Sequence, residues 1–246
     1  MNIAVLGISG YTGHYLARET TARKHRCIGV ARSATRYSDY NAGEGLVLYD
    51  ANGSDYGQMK EILAKEKVEK VICVYPPDVN HPWTFAADMR SLLQACKDSG
   101  VIQLIMMMGG SANNGRWGRD PFAYASFGQQ ITVGNSYYEN IHKARVRTFD
   151  EEKEFHWVIF TPNHLIKYPE RSGKYIYKTG GQGIWYDEHS QLNTDAGVIN
   201  YWDFSCAMLD EAENPRPEFK RQLVSLAWDR EYAAEITKKI PVMVNK

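Results

Sequence analysis

The chain is poor in cysteine, has no excess of either charge and contains no long apolar run. Its four cysteines lie far apart and form neither a CxxC pair nor a Cys/His cluster with zinc spacing, and three of them lie in apolar surroundings that are typical of a buried thiol. The 29 basic and 29 acidic residues balance, so no general field favours nucleic acid or an anionic membrane. No apolar run has membrane-spanning length, and the first predicted strand begins near residue 2 with no leader pattern before it. We therefore expect a protein of the reducing cytoplasm, without a metal site.

A chain of 246 residues fits one large domain, or a nucleotide-binding domain with a smaller appendage. Short apolar runs alternate with helical patterns through the first 160 residues, which predicts an α/β fold with a doubly wound parallel sheet. Strands are predicted at residues 3–6, 27–31, 45–49, 70–75, 102–108 and 157–160, and a helix at about 137–153.

Residues 161–246 are predicted to form a small C-terminal region that packs on the substrate side of the same domain. Its predicted segments are a hairpin at 174–186, a helix near 202–211, a strand at 222–226 and a closing helix capped by Asp229. The sequence leaves open whether this region closes over a ligand or contacts a second copy of the chain in a homodimer.

The stretch Asn2–Arg18, NIAVLGISGYTGHYLAR, carries the strongest motif. Its apolar strand ends at Gly7, Gly10 and Gly13, and a helical pattern follows at once. Strand, glycine turn and helix predict a dinucleotide site, because bare backbone can approach a pyrophosphate and the helix N-terminus offers it unpaired N–H groups. A turn that needs glycine only for its backbone angles does not explain three glycines in register. The predicted phosphate contacts are Gly7, Ser9, Gly10, Tyr11, Thr12 and Gly13.

The residues after the second strand indicate which nicotinamide cofactor fits. A site that prefers NAD usually has an acid about 20 residues after the glycines, but Arg32 and Ser33 stand in that place here. A guanidinium attracts a 2′-phosphate, and one charge-assisted contact of this kind is worth roughly 1.5–3 kcal/mol, about tenfold to a hundredfold in affinity. The sequence therefore predicts NADP(H) rather than NAD(H), with Arg36 as a further candidate contact. The alternative is that Arg32 is a solvated loop residue.

Other strand ends supply the remaining predicted cofactor contacts, since ligands of an open parallel sheet lie beyond the carboxyl ends of its strands. Asp50 is placed either to accept a hydrogen bond from the adenine amino group or to cap a turn through Asn52 and Gly53. Tyr75 and Pro76 are predicted to line the ribose and nicotinamide side. The set is completed by Gly109 and Pro162.

Several segments carry a family resemblance: GISGYTG at 7–13, Arg32, the PxN turn at 161–163, and the tail segments RSGKYIY, TDAGVINYWDFSCAMLDEAENP and RQL. Together they resemble the atypical short-chain dehydrogenase/reductases, in the group that contains NmrA-like proteins and NADH-flavin reductases. The resemblance covers most of the chain and implies a Rossmann sheet with an NAD(P)H cofactor, but its motifs specify no substrate. The stretch at 112–136 and the residues beyond 226 depart from the family pattern.

The resemblance also implies where catalytic groups should stand. The family's catalytic Ser or Thr follows the fifth strand, where this chain has Ser111, although an ordinary turn serine fits equally well. The family's Tyr-x-x-x-Lys pair is missing from the next helix, SYYENIHKARVRTF, and the chain's own example, Tyr56 to Lys60, lies on the wrong helix. Tyr138 with His142 is a candidate improvised acid, because histidine titrates near neutral pH. A half-buried tyrosine and a surface histidine are the alternative.

Three functions follow as hypotheses. The first is an NADPH-dependent oxidoreductase that passes hydride to a small flat acceptor such as a flavin or quinone, held in an aromatic slot. The second is an NmrA-like sensor that binds NAD(P), catalyses nothing and signals through a protein partner. The third is a nucleotide-sugar epimerase or dehydratase, which the missing Tyr-x-x-x-Lys disfavours. The candidate substrate contacts, each with a structural alternative, are Trp117, Tyr124, His164 and Tyr168.

Overall fold

The computed structural model describes residues 1–36, 40–78, 80–109, 137–162, 164–181, 183–184 and 197–239. Its strands are β1 (Asn2–Leu6), β2 (Arg26–Ala31), β3 (Leu46–Asp50), β4 (Lys70–Cys73), β5 (Gln103–Met107), β6 (Trp157–Pro162), β7 (His164–Ile166), β8 (Tyr175–Thr179), β9 (Val198–Asn200) and β10 (Gln222–Trp228). Its α-helices are α1 (Tyr11–Ala22), α2 (Tyr56–Lys65), α3 (Phe85–Asp98), α4 (Tyr137–Ala144), α5 (Tyr201–Glu213) and α6 (Arg230–Lys239).

Within the described residues, eight strands form one sheet in the order β3-β2-β1-β4-β5-β6-β10-β8. Neighbouring strands pair in parallel except β8, which runs antiparallel to β10. The strands β7 and β9 form a separate two-stranded parallel ladder. Because the order 3-2-1-4-5-6 is that of a doubly wound dinucleotide-binding sheet, the predicted α/β fold class is confirmed.

Helices cover both faces of the sheet, since each helix has an apolar stripe to bury. The helices α2, α3 and α4 share one core with the sheet, which contains Leu63 and Met89. The helices α1, α5 and α6 form the other core, which contains Leu16 and Phe204. Within the described residues, no helix combines the length and the apolar character needed to cross a bilayer.

The strand order places the predicted site at one edge of the sheet. Strand β1 lies between β2 and β4, so the chain leaves it in opposite directions on its two sides. Such a switch point opens a crevice beyond the carboxyl ends of the strands. The turn after β1 and the described residues that directly follow β2, β3, β4 and β5 therefore lie at this edge of the sheet.

Residues beyond 160 complete the sheet. Strand β10 inserts beside β6, with Val224 opposite Phe160, and β8 pairs with the other side of β10, from Thr179 to Tyr175. The described partner of β8 is thus a strand more than forty residues later in the chain, and residues 182 and 185–186 of the hairpin predicted at 174–186 lie outside the described residues. A lid function for this C-terminal region stays a prediction.

The fourth strand is shorter than the sequence predicts. It ends at Cys73 rather than at Tyr75, although Val74 N still donates to Leu6 O at 2.9 Å. The chain leaves the ladder because it turns at Tyr75 to pass beside the glycine turn, and the following Pro76 has no amide hydrogen to donate.

The helix predicted at 137–153 changes its winding part of the way along. It is α-helical only through Ala144, and residues 145–149 form a π-helical turn. Asp150 N donates to Arg145 O at 3.1 Å, the i to i+5 bond of such a turn. Thr148 Oγ1 donates to Ala86 O at 3.3 Å, which anchors this turn on the start of α3.

Candidate cofactor site

The turn after β1 needs glycine at both of its ends. Gly7 has a φ of +86°, and a Cβ there would lie 2.8 Å from the Tyr75 main-chain nitrogen. A Cβ on Gly13 would lie 2.4 Å from Gly7 O, so this glycine lets α1 pack directly against the turn. Gly7 N also donates to Val30 O at 2.9 Å, which ties the turn to the end of β2. Internal packing therefore explains the first and the third glycine.

The middle glycine has no such internal reason. Gly10 has φ −85° and ψ 169°, which any residue can adopt, and a Cβ there would meet only Gly7 O, at an ordinary 3.4 Å. Ser9 precedes it, half-buried in the same turn. A bare backbone at this place instead suits the close approach of a ligand. The open side of Gly10 thus fits a pyrophosphate.

The start of α1 also has the features of an anion-binding helix N-terminus. It has no side-chain N-cap and no acidic residue in its first turn. Its first N–H groups are left for another acceptor, and the helix dipole adds partial positive charge there. Thr12 is buried, with its Oγ1 3.7 Å from Met107 Sδ and its carbonyl accepting from Ser205 Oγ at 3.2 Å. These contacts fix the helix start against β5 and α5.

Arg32 lies exposed directly after β2, next to the half-buried Ser33. This strand end lies beside the glycine turn, because Val30 O accepts the Gly7 amide. In the parts of the chain that the structure describes, Arg32 takes part in no ion pair. Its guanidinium is therefore available to an anionic ligand, and the contact with a 2′-phosphate stays a prediction.

Asp50 ends β3 and holds the loop after β2 in place. Its carboxylate accepts from Thr35 Oγ1 at 2.5 Å and from Thr35 N at 2.8 Å, and these bonds hold the pKa of Asp50 below its ordinary value. Among the described hydrogen bonds, those of the turn at 52–53 join other partners, since Asn52 N donates to Gln58 Oε1 at 3.0 Å and Asn52 Oδ1 accepts from Ser54 N at 3.2 Å. The adenine contact stays a prediction.

Tyr75 supports the glycine turn from the side of the core. Its main chain passes beside Gly7, and its ring would lie 2.7 Å from a Cβ on Gly53. Burial, followed by the nearby Cys73 thiol, raises the pKa of its buried hydroxyl well above the ordinary value. Pro76 is exposed at the edge of the crevice. The ribose-side contact remains a prediction for the main chain of Tyr75 and for Pro76.

The ends of β5 and β6 complete the described part of the crevice. Gly109 follows β5, and Pro162 ends β6 in a buried position. His164 begins β7 and is half-buried. Tyr168 lies further along, where its ring meets Trp228 edge-on at 5.8 Å between centroids. Tyr168 therefore packs against β10, and its substrate contact stays a prediction.

Five predicted residues are not placed by the structure. Ser111, Trp117 and Tyr124 lie outside the described residues. The main chain of Tyr138 and His142 belongs to α4, but their side chains also lie outside them. The catalytic and substrate roles of these residues remain predictions.

Lys167 contacts the predicted pyrophosphate turn through Tyr11, and no sequence pattern indicated it. Its Nζ donates to Tyr11 Oη at 2.7 Å across a separation of 156 residues, so no local motif could reveal the pair. Its position shortly after the sixth strand was the one available signal. Trp83 is another exposed side chain that no sequence pattern indicated. It is 53% exposed in the 3₁₀ turn Pro82–Thr84, which leads from β4 into α3.

A family model identifies the class of ligand that this turn serves. The model, described as NAD(P)H-binding, matches residues 7–189, from the first glycine of the turn through more than half of the chain. The chain belongs to the NAD(P)H-binding family. The family resemblance and the nicotinamide cofactor predicted from the sequence are thereby confirmed at this level. A comparison of the sequence with curated proteins found no match.

Solved structures share the fold of this NAD(P)H-binding chain at low sequence identity. A Bacteroides thetaiotaomicron protein proposed to be an epimerase is 18% identical, with a TM-score of 0.71 over 92% of this chain and 96% of that one. A Streptococcus pneumoniae protein proposed to be an NADH-flavin reductase is 15% identical, with a TM-score of 0.69 over 93% and 100%. A Veillonella parvula short-chain dehydrogenase/reductase in complex with NADP is 16% identical, with a TM-score of 0.65 over 92% and 94%.

Proposed function

We propose that this NAD(P)H-binding protein is an NADPH-dependent oxidoreductase that passes hydride to a small flat acceptor such as a flavin or quinone. The observation that carries the proposal is the open side of Gly10 at the uncapped start of α1, with the exposed Arg32 at the neighbouring strand end. The similar Streptococcus pneumoniae structure, whose protein is proposed to be an NADH-flavin reductase, adds support.

The turn at 7–13, Arg32 and Asp50 each have a task under this proposal. The turn at 7–13 and the first N–H groups of α1 bind the pyrophosphate. Arg32 binds the 2′-phosphate, and Asp50 keeps the Arg32 loop in place through its two bonds to Thr35. When bound, the nicotinamide supplies the hydride. The chain's contribution is to position the acceptor and to exclude water.

Trp83 is the described side chain best suited to a flat acceptor. Its indole is exposed at the carboxyl edge of the sheet, and the His81 ring stands nearly perpendicular to it at 5.3 Å between centroids. An exposed aromatic face offers stacking to a planar ring system. The further candidates for contacts near the acceptor remain Ser111, Trp117, Tyr124, Tyr138, His142, His164 and Tyr168.

Turnover with flat acceptors tests the proposal directly. NADPH oxidation is followed with FMN, with riboflavin, with a simple quinone and with a simple ketone as acceptors. We expect turnover with one or more of the flat acceptors and none with the ketone, whose reduction requires a proton donor such as the missing Tyr-x-x-x-Lys. Tight NADPH binding without turnover of any flat acceptor would remove the oxidoreductase proposal.

Arg32→Glu tests the cofactor preference. We expect the variant to bind NADPH about tenfold or more weakly, because a charge-assisted contact is lost and a repulsive charge replaces it. NADH has no 2′-phosphate, so its affinity should change by less than about threefold. Arg147→Glu, at an exposed position on the π-helical turn, makes the same change of charge away from the crevice. Calorimetric titration of both variants with NADPH and NADH measures these affinities. A fall in NADPH affinity of less than about threefold in Arg32→Glu would mean that Arg32 does not bind the phosphate.

A second candidate function is a sensor that binds NAD(P) without catalysis and signals through a protein partner. The sequence of α4, YYENIHKA, favours it, because His142 stands four residues after Tyr138 where a reductase of this resemblance would carry lysine. A sensor of this kind predicts similar affinity for oxidised and reduced cofactor and no turnover in the acceptor assay.

A further inference from the structure

An exposed tyrosine stands directly beside the predicted pyrophosphate turn. Tyr11 is the first residue of α1, next to Gly10, and its side chain is 60% exposed. Lys167 Nζ donates to the Tyr11 hydroxyl oxygen at 2.7 Å and lies 4.2 Å from the centroid of the Tyr11 ring. The pair therefore places an ammonium group next to the start of α1.

Both partners of this pair are held from several sides. The ring of Tyr201, the first residue of α5, lies 5.5 Å from the Tyr11 ring. Lys167 directly follows β7, which pairs with β9. Just after Lys167 in the chain, Tyr168 O and Glu170 O both accept hydrogen bonds from Asn200 Nδ2, at 3.1 Å and 2.6 Å. The main chain around Lys167 is thus fixed before any ligand binds.

The ammonium of Lys167 has no acidic partner among the residues that the structure describes. Its bond to Tyr11 uses one of three N–H donors, so two remain for another acceptor. The same bond raises the pKa of Lys167 above the ordinary value of a lysine, which is itself charged at neutral pH. A charged donor with unused hydrogens beside a helix N-terminus is suited to a phosphate group.

We propose that Tyr11 and Lys167 form an anion subsite beside the glycine turn that binds a phosphate group, either of the bound cofactor or of a phosphorylated acceptor such as FMN. The inference rests on the proposed function for the nature of these ligands. Lys167 supplies the charge. Tyr11 positions the ammonium and leaves the phosphate within reach of the uncapped start of α1.

Lys167→Met removes the charge at similar side-chain length, and binding constants for NADPH, FMN and riboflavin are measured in the absence of turnover. We expect about tenfold weaker binding of the ligand whose phosphate occupies the subsite, the effect of losing one charge-assisted bond. If that phosphate belongs to the cofactor, NADPH binding weakens. If it belongs to the acceptor, FMN binding weakens and riboflavin binding does not. Tyr11→Phe should weaken the same ligand by about threefold, because the ammonium remains but loses its anchor.

Two further variants control this test. Lys167→Arg keeps the charge and should retain most of the affinity. Lys174→Met removes another exposed lysine that lies over a tyrosine ring, 5.2 Å from the centroid of Tyr232, and should leave all three affinities unchanged. Affinities within about twofold of the unmodified protein for all three ligands in Lys167→Met would overturn the subsite. If no acceptor is turned over but Lys167→Met still weakens NADPH or FMN binding, the oxidoreductase proposal fails and the subsite stands.

Discussion

Gly10→Ala should fold like the unmodified chain and yet bind NADPH about tenfold to a hundredfold more weakly. The backbone at this residue is already extended, and the new Cβ would meet only Gly7 O at 3.4 Å, so no atom of the turn has to move. The added methyl group would instead occupy the open side of the turn, where the pyrophosphate has to approach. Loss of one or two charge-assisted bonds to the α1 amides, at roughly 1.5–3 kcal/mol each, gives an effect of this size. Calorimetric titration with NADPH measures it.

Two other glycines separate this loss of binding from a loss of folding. Gly57→Ala lies in the first turn of α2, where the Cβ has room at 3.4 Å from Asp55 Oδ1, and should leave both stability and NADPH binding nearly unchanged. Gly13→Ala would press a Cβ to 2.4 Å from Gly7 O and should lower the melting temperature strongly. If Gly10→Ala binds NADPH as tightly as Gly57→Ala, the turn does not hold the pyrophosphate in the way proposed.

Local patterns in the sequence predict most of the elements, because a strand or a helix depends largely on the spacing of its own apolar residues. The closing helix illustrates this. Asp229, predicted as its cap, accepts through Oδ1 from Glu231 N at 3.0 Å and from Tyr232 N at 3.3 Å, and the apolar residues Ala233 and Ile236 of this helix are buried. The glycine turn is equally local, since Gly7, Gly10 and Gly13 lie within seven residues.

Contacts between distant segments could not be predicted in the same way. The β8 segment has the signals of a hairpin strand, but its spacing does not say that its partner is β10. Nor does the spacing around Lys167 say that Tyr11 will lie 2.7 Å away. In each case the pairing depends on how the whole sheet is arranged in three dimensions. The spacing of residues within one segment carries no information about that arrangement.

The burial of some polar side chains could not be predicted from local sequence pattern either. Glu211, near the end of α5, has the spacing of a solvated helix residue but is fully buried, and its Oε1 accepts from Gln103 Nε2 at 3.0 Å. Gln103 Oε1 in turn accepts from Lys70 Nζ at 2.9 Å. Burial raises the pKa of Glu211 and lowers that of Lys70. Charged side chains are seldom buried unless paired, so the sequence alone favours exposure for both.

Asp203→Asn should lower the free energy of unfolding by about 2–4 kcal/mol, because it breaks a buried set of hydrogen bonds. Asp203 is fully buried, and its Oδ2 accepts from Trp228 Nε1 and from Ser172 Oγ, both at 2.6 Å, while Oδ1 accepts from Gly173 N at 2.9 Å. An asparagine amide has one acceptor atom and would turn its NH₂ group toward a donor on one of the two sides. Urea unfolding measures the change, and thermal unfolding should show a fall of roughly 4–16 °C for a chain of this size.

A variant of Trp228 tests whether this loss of stability arises from its indole N–H. Trp228 is fully buried, so no water can replace the Asp203 carboxylate as the acceptor of that N–H group. Trp228→Phe removes the N–H donor and keeps an aromatic ring, so Asp203→Asn together with Trp228→Phe should be less destabilised than the sum of the two single variants. Glu61→Gln, an exposed acid on α2, should change stability by no more than about 0.5 kcal/mol. A loss below about 1 kcal/mol in Asp203→Asn would mean that the segment at 172–173 moves away and is solvated, in which case Lys167 on the same segment should lose its fixed position beside Tyr11 as well.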